Sequence, residues 1–379
     1  MQKVLITGGA GFIGSHLVAA LRRAGHAVRV LDSLSPQIHG EVPRGLDWLD
    51  GDGIEFARAS ILDAEALRAA LDGVTSVVHL AAETGTGQSM YEVARYNEVN
   101  TQGTAALMQE LVADRRDVGR VLLASSRSVY GEGAYVDPDG ARVVPGSRSG
   151  EQLAAAREGT AGWDPVDARG RALSFVPTRE DDRTAPASIY AATKLAQEDL
   201  VRIGCEACGM GWAALRLQNV YGEGQSLSNP YTGILSIFST RIRRGIELPI
   251  FEDGRETRDF VHVSDVAAAF LAALERAEAP GTAVNVGSGR ATSVVEVAEG
   301  LSRAFGATPN TVVTGQYRIG DIRHNAADTG RLGELLGLRP AVSLDDGLGR
   351  FARWVNEQPL PEDRLDAANE ELRRRKMMA

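Results

Sequence analysis

The run Thr7-Gly8-Gly9-Ala10-Gly11-Phe12-Ile13-Gly14 constrains this chain more than any other feature, because it lies between the apolar stretch Val4, Leu5, Ile6 and a segment of helical period. Glycines at that spacing have separate steric tasks: Gly8 permits a tight turn, Gly11 lets backbone approach a pyrophosphate, and Gly14 allows helix and strand to pack closely. The helix that follows aims its N-terminal N–H groups and the positive end of its dipole at phosphate charge. Asp32 ends the next apolar run about 20 residues on, where a carboxylate can accept both hydroxyls of an adenosine ribose and repel a 2′-phosphate. A plain glycine turn is the simpler alternative, and the placement of Asp32 weighs against it. No arginine follows Asp32 directly, so the cofactor expected is NAD rather than NADP.

Short apolar runs alternate with helix-period segments at residues 4–7, 12–24, 28–32, 63–71 and 76–81, and a further strand-like run covers 121–125. That alternation predicts parallel strands with crossover helices, an α/β fold with a Rossmann-type doubly wound sheet. Residues 88–114 and 188–209 are long helix-compatible stretches. Between residues 134 and 179, Pro138, Pro145, Pro165 and Pro177 interrupt the pattern around an isolated helical patch at 152–157, which marks an insertion. After Arg216 a strand-like pattern resumes, and turn residues over 222–231 lead into a smaller mixed α/β part over the ligand edge of the sheet. The division expected is a cofactor-binding domain over 1–216 carrying the insertion 134–179, then a mainly substrate-binding part over 217–356 with some segments returning to the core. A charged helical tail over 357–379 ends the chain, and its run at 373–376 reads as a solvated helix face.

Charge and cysteine content narrow the partners. The net charge of −9 argues against a nucleic-acid or anionic-membrane surface, leaving a small ligand as the main partner. Two cysteines cannot build a disulfide framework, the opening MQKVLITGG lacks the regions of a signal peptide, and no apolar run reaches the roughly 18 residues of a membrane span. A cytoplasmic protein is expected. Cys205 and Cys208 form a CxxC without a second pair, at the end of a helical stretch, and read as packing residues. His79 and His262, each in a strand-like run, read as core histidines.

Tyr190 and Lys194, four residues apart in a helix-period segment, project from one face. A phenol with a pKa near about 10 is a poor base at neutral pH, and a neighbouring ammonium favours its phenolate. The same spacing also suits a solvated helix face. Ser125-Ser126-Arg127-Ser128 supplies the other half, following an apolar strand whose carboxyl end opens on the cofactor crevice. A hydroxyl there can hydrogen-bond the substrate oxygen that Tyr190 deprotonates.

The runs TGGAGFIGSHL, HLAAETGTGQS, NEVNTQGT, SSRSVYG, YAATK and RDFVHVSDV together resemble the extended branch of the short-chain dehydrogenases/reductases, in particular its NAD-dependent nucleotide-sugar epimerases and dehydratases. The likeness covers roughly residues 1–356 apart from the insertion. SPQIHG and GTGQSMYE look most like the bacterial dTDP-L-rhamnose 4-epimerases. The resemblance implies a nucleotide-diphosphate sugar as substrate and a homodimer formed by 88–114 and 188–209 as a four-helix bundle. It implies Ser126, Tyr190 and Lys194 as catalytic residues. NAD would be held by Gly8, Gly11, Phe12, Ile13, Gly14, Asp32, Ser60, Ile61, Leu80, Ala81, Ala82, Asn100 and Ser125, together with Tyr190 and Lys194. Thr84, Ser126, Asn219, Arg258, Arg323 and Asp328 would meet the substrate, with a surface salt-bridge pair as the other reading of Arg323 and Asp328.

Departures from the family pattern are informative. Ser60 stands where relatives usually carry an aspartate near the adenine, which implies looser adenine recognition. Arg127 and Ser128 stand where dehydratases place acidic residues, which disfavours elimination of water. The insertion shows Asp137-Pro138-Asp139-Gly140 and Asp167-Ala168-Arg169-Gly170 where some relatives have cysteine or histidine clusters, so no metal is expected. The function expected is 4-epimerisation of a nucleotide sugar through a 4-keto intermediate. Alternatives are a UDP-hexose or other epimerase, a 4,6-dehydratase, or a non-catalytic NAD-binding protein.

Overall fold

Apolar residues on alternate sides of each strand dictate a sheet covered on both faces, and a single parallel sheet of seven strands results. The computed structural model describes residues 2–43, 45–113, 117–227, 233–276, 278–375 and 377–379. The strands are β1 (Lys3–Thr7), β2 (Ala27–Asp32), β3 (Ile54–Arg58), β4 (Ser76–His79), β5 (Arg120–Ser126), β6 (Gly211–Leu217) and β7 (Thr282–Val286). Their spatial order is β7-β6-β5-β4-β1-β2-β3, every neighbouring pair parallel. The chain runs outward from β1 to β3 and then crosses to β4 on the other side, so a crevice opens between the carboxyl ends of β1 and β4.

The helices that matter are α1 (Phe12–Arg23), α2 (Ala64–Leu71), α3 (Gly103–Ala113), α4 (Ile189–Cys208) and α5 (Val263–Glu275). Leu17 and Leu21 of α1 and Val266 and Phe270 of α5 pack on Val4, Ile6, Val28 and Leu122. On the opposite face, Leu67 of α2, Leu107 of α3 and Val201 and Cys205 of α4 pack on Leu5, Val77, Val121 and Leu123. Caps set the helix limits: Ser188 accepts from the Ala191 N–H at 3.1 Å, and Gly209 closes α4 in the left-handed conformation at φ 69°.

The expected elements are present with shifted limits, and three strands of the sheet come in addition, β3, β6 and β7. The stretch 88–114 is not one helix, because Gln88 belongs to a separate turn, Thr86–Ser89. Helical structure resumes at Val93–Tyr96, passes through a π-helical turn at Asn97–Gln102 and continues as α3, while Asp114 lies outside the described residues. Tyr231, expected in the turn region, and Lys376, expected in the basic run, also lie outside them. α5 and β7 come from the C-terminal half of the chain yet complete the core sheet.

The insertion is ordered. Tyr135–Val136, Arg142–Val143 and Ser174–Phe175 form a three-stranded antiparallel sheet beside the helix Gly150–Arg157. It contains the same turn twice: Asp137 Oδ1 accepts from the N–H groups of Asp139 and Ala141, and Asp167 Oδ1 from those of Arg169 and Arg171. The Arg171 guanidinium bridges the two turns, reaching Asp139 at 2.6 Å and Asp167 at 2.7 Å. The C-terminal tail is helical, as expected, and Arg373, Arg374 and Arg375 are exposed on its solvated face. The helix Leu365–Arg374 buries Leu365, Ala368 and Leu372, the backbones of Tyr317 and Ala379 pair in both directions, and Arg375 lies over the Tyr91 ring at 4.2 Å.

Candidate active site

Steric demands of the glycine loop create the cofactor cleft. A Cβ on Gly8, whose φ is 69°, would stand 2.7 Å from the Ala81 backbone nitrogen, so the loop touches the chain leaving β4. A Cβ on Gly14 would stand 2.4 Å from the Gly9 carbonyl, so this glycine packs α1 against the loop rather than against the strand. Gly11 faces only the Gly8 carbonyl, at 3.3 Å, and caps α1 without any side-chain hydrogen bond. The first N–H groups of α1 are thus left for an anion. This donor set fits a dinucleotide pyrophosphate, and Asp32 at the end of β2 fits its ribose. The Asp32 carboxylate also holds the loop in shape, accepting from the N–H groups of Ala10 at 3.0 Å and Leu34 at 2.8 Å.

One cavity of about 460 Å³ runs from this loop to β5 and α4, and every expected cofactor residue but Asn100 lines it. Asn100 is fully buried behind the wall. Its Oδ1 accepts from the Glu83 N–H at 2.7 Å and its Nδ2 donates to the Glu83 carbonyl and to Thr193, so it fixes the Ala82–Glu83 backbone instead of facing the cavity. The cavity wall also contains Ser33, Ser35, Gln37, Ile38 and His39, which the sequence reasoning missed. They follow Asp32 in an irregular segment where no periodicity reports direction.

Ser126, Tyr190 and Lys194 all line this cavity. Ser126 is the last residue of β5, and Tyr190 and Lys194 sit in the first turns of α4, whose start is pinned by the Tyr190 N–H donating to Ser89 Oγ at 3.1 Å. Burial raises the Tyr190 phenol, while its hydrogen bond with Ser126 and the nearby Arg127 charge pull it down. Lys194 donates to the Ala124 carbonyl at 2.9 Å and to Gln197 Oε1 at 2.8 Å, and burial lowers its ammonium to about 7. Gln197 in turn donates to Thr104 at 2.7 Å, and Thr104 to the Asn100 carbonyl at 2.6 Å. Gln197 and Thr104 escaped sequence reasoning, although Gln197 lies one helical turn beyond Lys194. Ser125 donates to Glu198, which is itself bound to Arg216 at 2.7 Å.

The expected substrate residues divide. Thr84, Ser126 and Asn219 line the cavity, and the buried Asn219 Oδ1 has no hydrogen-bond partner among the described residues. Arg258 lies apart from that lining, bonded to Asp321 at 3.0 Å. Arg323 is 2% exposed, and its guanidinium is occupied by Asp164, Glu252 and Asp253 at 2.7–3.0 Å. Asp328 is a separate residue whose Oδ1 accepts from the Gly330 N–H at 2.8 Å. The two are therefore not a surface pair, and Arg323 belongs to a buried ion network joining the insertion to the C-terminal part.

His79 is a core residue, held between Thr7 at 2.7 Å and Thr104 at 2.9 Å, with burial lowering it to about 3. His262 is 3% exposed and caps α5 by accepting from the Ser264 N–H at 3.2 Å. Cys205 packs in the core with its thiol pushed up to about 12 by burial, Cys208 is exposed, and both are free.

A doubly wound sheet, an uncapped glycine-bounded helix start and a Ser–Tyr–Lys set at its cleft define a dinucleotide-dependent enzyme of proton and hydride chemistry. The chain belongs to the NAD dependent epimerase/dehydratase family, whose model matches residues 4–149 and 168–287, and its cofactor is NAD. It is 41% identical over 360 residues to a dTDP-L-rhamnose 4-epimerase of Burkholderia thailandensis, covering 94% of this chain and 96% of that one. A UDP-glucose 4-epimerase of Mycolicibacterium smegmatis is 32% identical over 363 residues, 94% of this chain and 99% of that one. Among solved structures, the UDP-glucuronic acid 4-epimerase of Bacillus cereus in complex with UDP-glucuronic acid and NAD superposes with a TM-score of 0.74 at 26% identity, covering 94% of this chain and 99% of that chain. The family match skips residues 150–167, which fall inside the insertion.

Proposed function

We propose that the protein is a nucleotide-sugar 4-epimerase whose substrate is dTDP-L-rhamnose. The observation that carries this reading is the convergence of Ser126, Tyr190 and Lys194 on one cleft in a chain 41% identical to a dTDP-L-rhamnose 4-epimerase. NAD held by the glycine loop, Asp32 and Lys194 supplies reversible oxidation at carbon 4. Tyr190 removes the proton of the 4-hydroxyl as the ketone forms, and Ser126 orients that oxygen by a hydrogen bond. Turning of the 4-keto sugar before reduction inverts carbon 4, and Tyr190 returns its proton. Asn219, with its unpartnered oxygen in the cavity wall, offers an acceptor to the substrate. Elimination of water is disfavoured because Arg127 and Ser128 follow Ser126, leaving no carboxyl group at that point to protonate a departing hydroxyl.

Within this reading the protein is a cytoplasmic homodimer. Val93, Val112 on α3 and Ile203 on α4 are 41–55% exposed, an apolar face suited to a symmetry mate. Sedimentation at micromolar concentration should give twice the mass of the chain, and a monomer-sized species alone would rule the dimer out.

Product NMR on dTDP-L-rhamnose, with UDP- and GDP-hexoses in parallel, tests the function. The C4 epimer of dTDP-L-rhamnose is expected, a dehydrated product would identify a dehydratase, and no conversion of any sugar would sink the enzyme reading. Tyr190→Phe should lower turnover by about 10²–10⁴-fold while NAD binding persists.

A further inference from the structure

Tyr190 is the second residue of α4, in the turn of a helix most prone to fray. Ser188 serves the N–H groups of Ala191, through its Oγ at 3.1 Å, and of Ala192, through its carbonyl at 2.9 Å. The Tyr190 N–H instead takes its partner from 101 residues away, donating to Ser89 Oγ at 3.1 Å. Ser89 is fully buried, and its hydroxyl proton is committed to the Thr86 carbonyl at 2.6 Å, so the oxygen is left aimed at the tyrosine backbone. The same turn holds the tyrosine ring as well. Tyr96, whose ring meets that of Tyr190 edge-on at 6.4 Å, donates its hydroxyl to the Thr84 carbonyl at 2.6 Å and to Gln88 Oε1 at 3.3 Å.

The outer side of that turn rests on the C-terminal helix. A Cβ on Gly87 would stand 3.9 Å from Leu372 Cδ2, and Arg375 lies over the Tyr91 ring at 4.2 Å. The helix Leu365–Arg374 is in turn fastened to the part of the chain after β6. Arg241 donates to Asp366 at 2.8 Å, Arg318 to Asn369 at 2.9 Å, and the backbones of Tyr317 and Ala379 pair at 2.9 and 3.1 Å. A continuous set of contacts thus runs from the C-terminal segment through residues 84–91 to the backbone and ring of Tyr190.

We propose that Ser89, backed by the C-terminal helix, is a positioning residue that keeps the Tyr190 phenol in place while the keto sugar turns beside it. The inference rests on the epimerase reading above. In that cycle the Tyr190 oxygen takes the 4-hydroxyl proton and later returns it to the same oxygen of an inverted sugar. The sugar must be free to turn between the two transfers, so the alignment of both has to come from a base that does not move. A side-chain oxygen on an otherwise unserved N–H of the first turn, supported from behind, supplies that fixity.

The test uses full-length, NAD-loaded protein labelled with ¹⁵N-tyrosine, in which the Tyr190→Phe variant identifies the Tyr190 amide signal. Ser89→Ala should speed hydrogen exchange at that amide and lower kcat about tenfold, while KM and NAD affinity stay within about twofold. Leu372→Ala combined with Arg375→Ala should act in the same direction, lowering kcat roughly threefold, and keeps the test open if Ser89→Ala fails to fold. Wild-type exchange and kcat in a folded Ser89→Ala variant would overturn the proposal, as would a loss of NAD affinity equal to the loss of kcat, which marks general damage. Wild-type behaviour of the Leu372 and Arg375 double variant would overturn the part given to the C-terminal helix. Faster exchange at Tyr190 in Ser89→Ala, with a wild-type protein that converts no nucleotide sugar, would instead overturn the epimerase reading and leave Ser89 as the anchor of Tyr190.

Discussion

The cofactor cleft and the joint between insertion and C-terminal part are both rigid, but different physics makes them so. In the cleft, Gly8 and Gly14 let backbone meet backbone where a Cβ would come within 2.7 and 2.4 Å of main-chain atoms. In the joint, Arg148 and Glu252 form a pair 1% and 5% exposed, and Arg323 is shared among Asp164, Glu252 and Asp253. The first region depends on the absence of side chains. The second depends on long charged side chains from distant stretches. The cleft therefore tolerates almost no substitution in its loop, while the joint is sensitive only where a charge would be left buried and alone.

The largest expected effect breaks the joint. Arg323→Met leaves Asp253 and Glu252 short of a partner and should cost about 3–5 kcal/mol in urea unfolding, with NAD affinity unchanged because the cleft contains no part of the network. A weakened NAD affinity would show that the two regions are coupled.

Next in size, Gly14→Ala places a methyl group against the Gly9 carbonyl and should destabilise by about 1–3 kcal/mol. Here NAD binding, followed by calorimetry, should be lost along with stability, the opposite pattern to Arg323→Met. Retention of wild-type NAD affinity would show that the loop tolerates a Cβ.

Asp32→Asn keeps an acceptor for the Ala10 N–H but removes the charge facing a 2′-phosphate. Preference for NAD over NADP should shrink by roughly tenfold, about 1.4 kcal/mol. An unaltered preference would move the discrimination to the residues that follow, His39 among them.

The smallest effect belongs to the exposed counterpart of the joint. Arg171→Met removes the bridge between the two aspartate turns, but those charges lie in water and are screened, so the melting temperature should not move measurably. A clear drop in melting temperature would mean that the turns depend on the guanidinium rather than on their own N–H to carboxylate hydrogen bonds.

Local spacing determined a large share of this protein. The period of two in Val4, Leu5 and Ile6 assigns each residue to one face of the sheet, and the i,i+4 placement of Tyr190 and Lys194 puts both in the cleft. The glycine loop shows in sequence for the same reason, since its steric tasks are met by neighbours a few residues away. β3 and β6 were less legible: Ile54–Arg58 is a half-buried edge strand carrying Glu55 and Arg58, and the alanine-rich Gly211–Leu217 suits helix as well as strand until β5 and β7 pair with it.

Tertiary structure alone decided what the long polar side chains do. Arg323 meets Asp164 across 159 residues and Arg148 meets Glu252 across 104, separations over which no periodicity or motif carries a signal. The inward face of Asn100 and the docking of Arg375 on Tyr91 have the same origin. A short-range pattern records which way a side chain points relative to its own strand or helix. Which charge it finds there depends on how distant segments pack, and that is set by the folded chain as a whole.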